Sequence, residues 1–423
     1  MFDTSILEDL TLGQIFTLFY THCLNYTRNA RACAAISDSD FIHYGLQRIL
    51  AKHRSGREYL QSKSDDENVD IARSTFFDSL QSPRRLAFMS DISEAFTQLL
   101  NSYFEKYQVD YLKDFPELAP YQIFSGDGHF IEHAVHTDKD SSGKNYGAGT
   151  LYIQNIRTGL LSVLDVVTDG TRKSHEMPIF RNSIDSCLPS EKKTLWILDR
   201  AYVDKSWWPK KKKDGQHVIV RVKKKTVLID VDDIYFDPKK QINTGVTRFY
   251  RARMGKNSSP QRIIEYTDPE SLQRYQFVCS VTHIEPGLVA WLYLLRWRIE
   301  KAFDNLKNDF NETRAWATGK NALEIQSQLI CMNYNFSRFI VEFLKNEKDI
   351  DDVKVTKKYT KALEKREEEA HKKGRIIHPF LQKLQRMPKM SAQFLRLLKS
   401  RFYSRARLSQ LIEPFRLRME GYL

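Results

Sequence analysis

Apolar residues recur at three- and four-residue spacing through 6–20, 41–50, 76–80 and 92–107, the period of helices that bury one face. No strand-like run interrupts this region, which predicts a helical N-terminal domain over residues 1–112. From Tyr121 the period changes. Runs at 121–124, 149–156 and 160–167 are rich in Ile, Val, Leu, Tyr and Phe, and turn residues separate them, so they predict a three-strand meander. A short apolar run, 195–198, ends at Asp199 and reads as a buried strand of a mixed sheet. Five more such runs, 218–222, 227–231, 246–253, 263–266 and 275–282, predict a β-rich subdomain over 205–285, inserted between two parts of an α/β core at 113–204 and 286–345. After Pro286 the pattern predicts one long helix to about Phe310. A second covers 322–344, with apolar spacing through Ile325, Leu329, Met332, Phe336 and Phe339. A polar linker and a helical C-terminal domain, 346–423, follow.

Composition sharpens this picture at one end of the chain. The 423 residues are 41% hydrophobic and 12% aromatic, enough for packed cores and, at roughly 100 to 200 residues per domain, for two to four domains. Lys and Arg number 66 against 53 Asp and Glu, a net charge of +13. Beyond Asp352 there are 19 basic and 6 acidic side chains, and 19 − 6 = 13 accounts for the whole excess. A basic tail domain favours a polyanionic partner, although the alternating charges of 357–373 also suit a solvated helix. Within it, Phe394, Leu397, Leu398 and Phe402 are candidates for dimer contacts. The five cysteines are scattered without a C-x-x-C pair, against a disulfide framework or a Cys-based zinc site. The acidic N-terminus and the lack of an ~18-residue apolar run lead us to expect a soluble cytoplasmic protein with no membrane partner.

The richest chemistry lies in the stretch from Tyr293 to Lys307. Tyr293, Arg296, Glu300 and Lys307 stand at i, i+3, i+7 and i+14, which at 100° per residue fall within about 60° on one helix. A charged helix face usually meets only solvent. Here two further carboxylates sit where a site needs them, Asp127 in FSGDGHF and Asp199 in ILDRAYVD. An Asp beside Gly is often turn chemistry and an Asp after a strand is often a cap. Together, however, the three acids form the hard oxygen set preferred by Mg²⁺ or Mn²⁺, and two such ions serve in-line phosphoryl transfer.

This combination resembles the DDE transposases of bacterial insertion sequences, specifically the IS-four family marked by Y-(2)-R-(3)-E-(6)-K, which Tyr293, Arg296, Glu300 and Lys307 match without a spacing error. Asp127 and Asp199 stand in its first and second acidic blocks, GKNALEIQSQL is similar to its following segment, and the resemblance spans about 118–345. It implies an RNase H-like mixed-sheet core carrying Asp127, Asp199 and Glu300 as catalytic metal ligands for two Mg²⁺ or Mn²⁺ ions, interrupted by the β-rich insertion. It further implies a cut-and-paste enzyme that cleaves DNA at terminal inverted repeats, passes through a hairpin, and joins the ends to target DNA as a homodimer associated with the bacterial nucleoid. Tyr293, Arg296 and Lys307 would contact phosphates. Ala201 replaces the glycine of the second block, which is tolerable at negative φ, and Gly128 and His129 replace the polar residue after the first Asp.

Lesser signals surround this centre. His129, His133 and His136 do not share one strand face and make a poor zinc set. The stretch 205–225 holds nine basic residues and one acidic one, so Trp207, Trp208, Lys210, Lys211 and Lys212 are candidate DNA contacts, as is Arg298. Residues 72–81 resemble the reading helix of a helix-turn-helix. No Trp lies between 209 and 290, so a flipped hairpin base would stack on Tyr235, Phe236, Phe249 or Tyr250, with Trp207 or Trp208 less central. The competing readings are a catalytically idle DNA-binding repressor or inhibitor derived from such an enzyme, and a stand-alone structure-specific nuclease.

Overall fold

The computed structural model describes residues 4–25, 27, 35–50, 55–67, 71–131, 147–170, 176–184, 193–223, 226–256, 258–310, 315–317, 319–351, 353–378, 392–402 and 404–420. Five helices come first: α1 (Leu12–Leu24), α2 (Asp38–Leu50), α3 (Gly56–Glu67), α4 (Arg73–Gln81) and α5 (Pro83–Lys106). Their starts follow local chemistry. Thr11 and Gln14 form a reciprocal capping box on α1, and Ser82 caps α5 with Pro83 at its first position.

The strands are β1 (Tyr121–Ile131), β2 (Gly147–Asn155), β3 (Leu161–Gly170), β4 (Lys193–Leu198), β5 (Gln216–Arg221), β6 (Ile229–Asp233), β7 (Val246–Arg253), β8 (Gln261–Thr267) and β9 (Arg274–Cys279). They form one mixed sheet in the order β3-β2-β1-β4-β5-β9-β8-β7-β6. β1, β4 and β5 are parallel and every other pair is antiparallel. The strands expected to form an inserted subdomain therefore extend the sheet, and the first of them, β5, lies directly beside β4.

β4 shows how the sheet is buried. Its alternate residues Leu195 and Ile197 join a core with Ile123, Ile219 and helix α8 (Pro286–Leu295), while Trp196 and Leu198 join another with Val218, Val220 and helices α6 (Glu176–Ser183) and α7 (Trp207–Lys211). A strand covered on both faces reads as a continuous apolar run, which is what its sequence shows.

The helix expected over 286–310 is divided. Arg296 separates α8 from α9 (Trp297–Asp309), and three-residue bonds from Arg296 N–H to Tyr293 O and from Ile299 N–H to Arg296 O, both 3.1 Å, tighten the junction. α10 (Lys320–Lys348) is buried almost throughout. Its Asn335 amide both donates to and accepts from the backbone of Leu161, 2.8 Å each way, completing the first residue of β3.

One apolar core joins α1 to α5, α10 and the last two helices, α12 (Ala392–Arg401) and α13 (Leu408–Glu420), while α11 (Val353–Lys372) is largely exposed. Phe16 stacks on Phe336 at 4.6 Å and meets the edge of Phe402 at 5.6 Å, and Leu408 N–H donates to Leu10 O at 2.7 Å. This corrects the expectation of dimer contacts at Phe394, Leu398 and Phe402. All three are buried in the chain's own core.

Candidate active site

The parallel register sets the site. Gly126 of β1 lies opposite Leu198 of β4, so the next residues along each strand, Asp127 and Asp199, stand side by side with their side chains on the same face. Asp127 Oδ1 accepts from Gly128 N–H at 3.0 Å, and Asp199 Oδ1 accepts from Arg200 N–H at 2.6 Å as β4 turns into a short 3₁₀ segment. Ala201 lies in that segment without a left-handed φ, so its methyl group is tolerated.

Arg296 ties the helix to the sheet. Its Nη1 lies 3.4 Å from Asp127 Oδ2 and its Nη2 donates to Glu300 Oε1 at 2.8 Å, one turn along α9. Arg296 is 6% exposed, and among the described residues its Nε has no hydrogen-bond partner. Burial pushes the Asp127 carboxyl up to about 6. The Arg296 charge and the Gly128 N–H oppose the rise, and the charges of Asp199 and Glu300 add to it. The Asp127 carboxyl therefore feels the charges of the other two acids.

Carboxylate oxygens that repel one another suit a hard divalent cation, so Asp127, Asp199 and Glu300 fit Mg²⁺ or Mn²⁺ by their chemistry. Among the described residues no three His, Cys, Asp or Glu side chains already converge into a metal cage. The cation lying between two of the acids here is Arg296.

The four signature residues do not share a single helix. Tyr293 lies on α8, buried against Phe277 at 4.8 Å with the Arg296 guanidinium 5.6 Å from its ring centre. Burial raises its phenol and the Arg296 charge opposes this. Lys307 is exposed on α9, and the side chain of Arg298 lies outside the described residues. His129 shares the Asp127 face of β1, with its ring 5.3 Å from Phe303 on α9. His133 and His136 lie outside the described residues.

The basic stretch divides in a similar way. Trp208 is buried and its Nε1 donates to Tyr202 O at 2.9 Å, so it serves the core and is withdrawn as a DNA contact. Trp207 is half-buried between Arg181 and Lys211, Lys211 pairs with Asp214 at 3.6 Å, and Lys210 and Lys212 are exposed. Phe249 and Tyr250 are buried within the sheet's cores and Phe236 is half-buried, whereas Tyr235 is 86% exposed. On α4, Phe76 and Leu80 face the core and Gln81 O accepts from Asn321 Nδ2 at 2.9 Å, leaving Arg73, Ser74 and Asp78 outside. The sequence reading did not single out Arg221, which ends β5 as Asp199 follows β4. A charged residue closing an apolar strand was the available signal.

Among solved structures, a piggyBac transposase synaptic complex with hairpin DNA is similar over 94% of this chain and 87% of that one, at 9% identity and a TM-score of 0.40, a likeness too weak to carry an argument. No curated protein matches the chain. The family model described as a transposase DDE domain matches residues 119–336, which hold β1 to β9, Asp127, Asp199 and Glu300 and make up more than half of the sequence. The chain belongs to the transposase DDE-domain family.

Proposed function

We propose that this transposase is a cut-and-paste enzyme of the IS-four type, with an RNase H-like core in which Asp127, Asp199 and Glu300 are the catalytic acids. The observation that carries this is the side-by-side placement of Asp127 and Asp199 on parallel strands, with Glu300 tied to Asp127 through Arg296. The three carboxylates would hold two Mg²⁺ or Mn²⁺ ions. Such ions, when bound, polarise a phosphodiester and favour ionisation of the attacking hydroxyl.

The chain's own groups do the remaining work. Arg296 fixes the spacing of two acids and, with Lys307, presents cations to the DNA backbone. Tyr293 carries a phenol to the same side. Exposed Lys210 and Lys212, Trp207, Arg298 and the face of α4 extend the DNA contact, and the basic C-terminal helices neutralise further phosphates. In the hairpin pathway Tyr235 is the aromatic free to stack on a flipped base. The substrate is duplex DNA with terminal inverted repeats, held by a homodimer that also engages target DNA.

Asp127→Asn, Asp199→Asn and Glu300→Gln should each abolish nicking of DNA carrying the terminal repeats in Mg²⁺ while leaving duplex binding near native. A variant that nicks at the native rate removes its residue from the centre. If the native chain binds but never nicks, the repressor reading replaces the enzyme.

A further inference from the structure

The row that holds Asp127 and Asp199 continues one strand further. Leu198 lies opposite Val220 on β5, so the next step of the parallel register sets Arg221 beside Asp199, as Asp199 stands beside Asp127. With neighbouring strands ~4.8 Å apart, the backbone span from Asp127 to Arg221 is roughly 10 Å. That equals about three nucleotides of rise along one DNA strand.

The Arg221 side chain lies over one aromatic ring. Its guanidinium carbon lies 4.7 Å from the centre of the Tyr275 ring on β9. The Tyr275 hydroxyl donates to Gln273 Oε1 at 2.6 Å, and its ring stacks on Phe277 at 5.9 Å with the planes 7° apart. Phe277 in turn meets Tyr293 at 4.8 Å. A column of three rings thus links Arg221 to the signature tyrosine, and the Arg221 charge is among those that oppose the burial-driven rise of the Tyr293 phenol.

Three other arginines spend their donors on partners within the protein. Arg296 bonds to Asp127 and Glu300, Arg262 to the carbonyls of Val281 and Ile284, and Arg248 to Asp233. Arg221 is half-buried, and among the described residues its guanidinium makes no hydrogen bond or ion pair. A guanidinium positioned by a ring face, with its forked donors open, matches the two oxygens of a phosphodiester.

We propose that Arg221 binds one backbone phosphate of the DNA strand that lies along the row Asp127, Asp199, Arg221. The assignment rests on the reading of Asp127, Asp199 and Glu300 as the cleavage centre, because it takes the path of the DNA strand from that row. Arg221 fixes the strand about one phosphate beyond the acids and so sets its register against them.

The test is duplex binding against salt, in EDTA, with a duplex of roughly 40 base pairs of arbitrary sequence as the probe. Arg221→Gln should lower the slope of log K against log salt by about 0.9, the contribution of one phosphate. Arg221→Lys, which keeps the charge and loses the fork, should retain the native slope and bind several-fold more weakly. A residue that only packs on Tyr275 would change thermal stability and leave the slope alone. A native slope in a folded Arg221→Gln overturns the assignment; if that variant does not fold, native affinity in Arg221→Lys overturns it instead. Native protein that binds this duplex but never nicks supercoiled plasmid in Mg²⁺ or Mn²⁺ overturns the cleavage-centre reading, while the slopes still decide whether Arg221 touches phosphate. Failure of the native protein to bind overturns both.

Discussion

Replacing Asp127 with Asn should make the protein more stable, and by an amount that grows with pH. The Asp127 carboxyl moves from an ordinary value of 3.8 to about 6, chiefly because it is buried. Between those values the folded protein holds a proton that the unfolded chain has released, so folding stability falls as pH rises through this window and is level above it. At 1.36 kcal/mol per pH unit, the ionised carboxylate costs about 3 kcal/mol at pH 7.5 and about 1 kcal/mol at pH 4.5. Asn keeps an oxygen for the Gly128 N–H and carries no charge to desolvate. Urea unfolding of both proteins in EDTA at the two pH values, read as a difference so that other titrating groups cancel, should show a gain about 2 kcal/mol larger at the higher pH. A variant no more stable than the native chain at pH 7.5, or a pH-independent gain, would refute the reasoning. The expected pattern is that of a carboxylate held against its own solvation, at a cost in stability.

Three other perturbations follow from particular contacts. Asn335→Leu strands the buried N–H and C=O of Leu161, each worth about 1–3 kcal/mol, and should lower the urea midpoint by a corresponding amount. Gly287→Ala puts a methyl carbon 1.8 Å from the Ile242 carbonyl oxygen, a backbone atom, and should cost about 1–3 kcal/mol or more; Gly45→Ala meets only the movable end of Leu329 at 2.6 Å and should cost less, which paired thermal melts will show. Burial lowers the His217 imidazole to about 4, so the unfolded chain binds the proton first as pH falls below 6.5 and stability is lost between there and 4. His217→Asn should flatten the native pH–stability curve by about 2 kcal/mol between pH 8 and 5, and an unchanged curve would assign that acid sensitivity elsewhere.

The strands were legible where apolar runs met turn residues. The runs 149–156 and 160–167 correspond to β2 and β3 within a residue or two at most ends, because the hairpin between them turns at Gly159, with φ +76°. β1 extends well past Phe124, since Gly126 and Gly128 read as a turn. Gly126 instead sits in a strand, where a Cβ would lie 3.2 Å from Leu198. Pairing was illegible throughout the later strands. That β9, the last of them in sequence, and not β6, lies beside β5 depends on long-range packing that no local pattern records. The three acids are proposed from chemistry and spacing, whereas the division at Arg296 had no signal in the sequence. No Gly or Pro marks it, and Arg296 at that junction reaches Asp127 on a distant strand.

The contact between the two ends of the chain has a consequence for synthesis. Phe16 has Phe336 and Phe402 as neighbours, and Leu10 accepts from Leu408, so the first helix finds part of its cover in residues made nearly four hundred positions later. At ~5–20 residues per second, roughly 390 intervening residues take about 20–80 s to emerge. During that interval Phe16 has Phe96 of α5 beside it but lacks the Phe402 edge that completes its surroundings. A chain stopped before Phe394 would therefore leave one side of the helical core open, because Phe394, Leu398, Phe402 and Leu408 all belong to it.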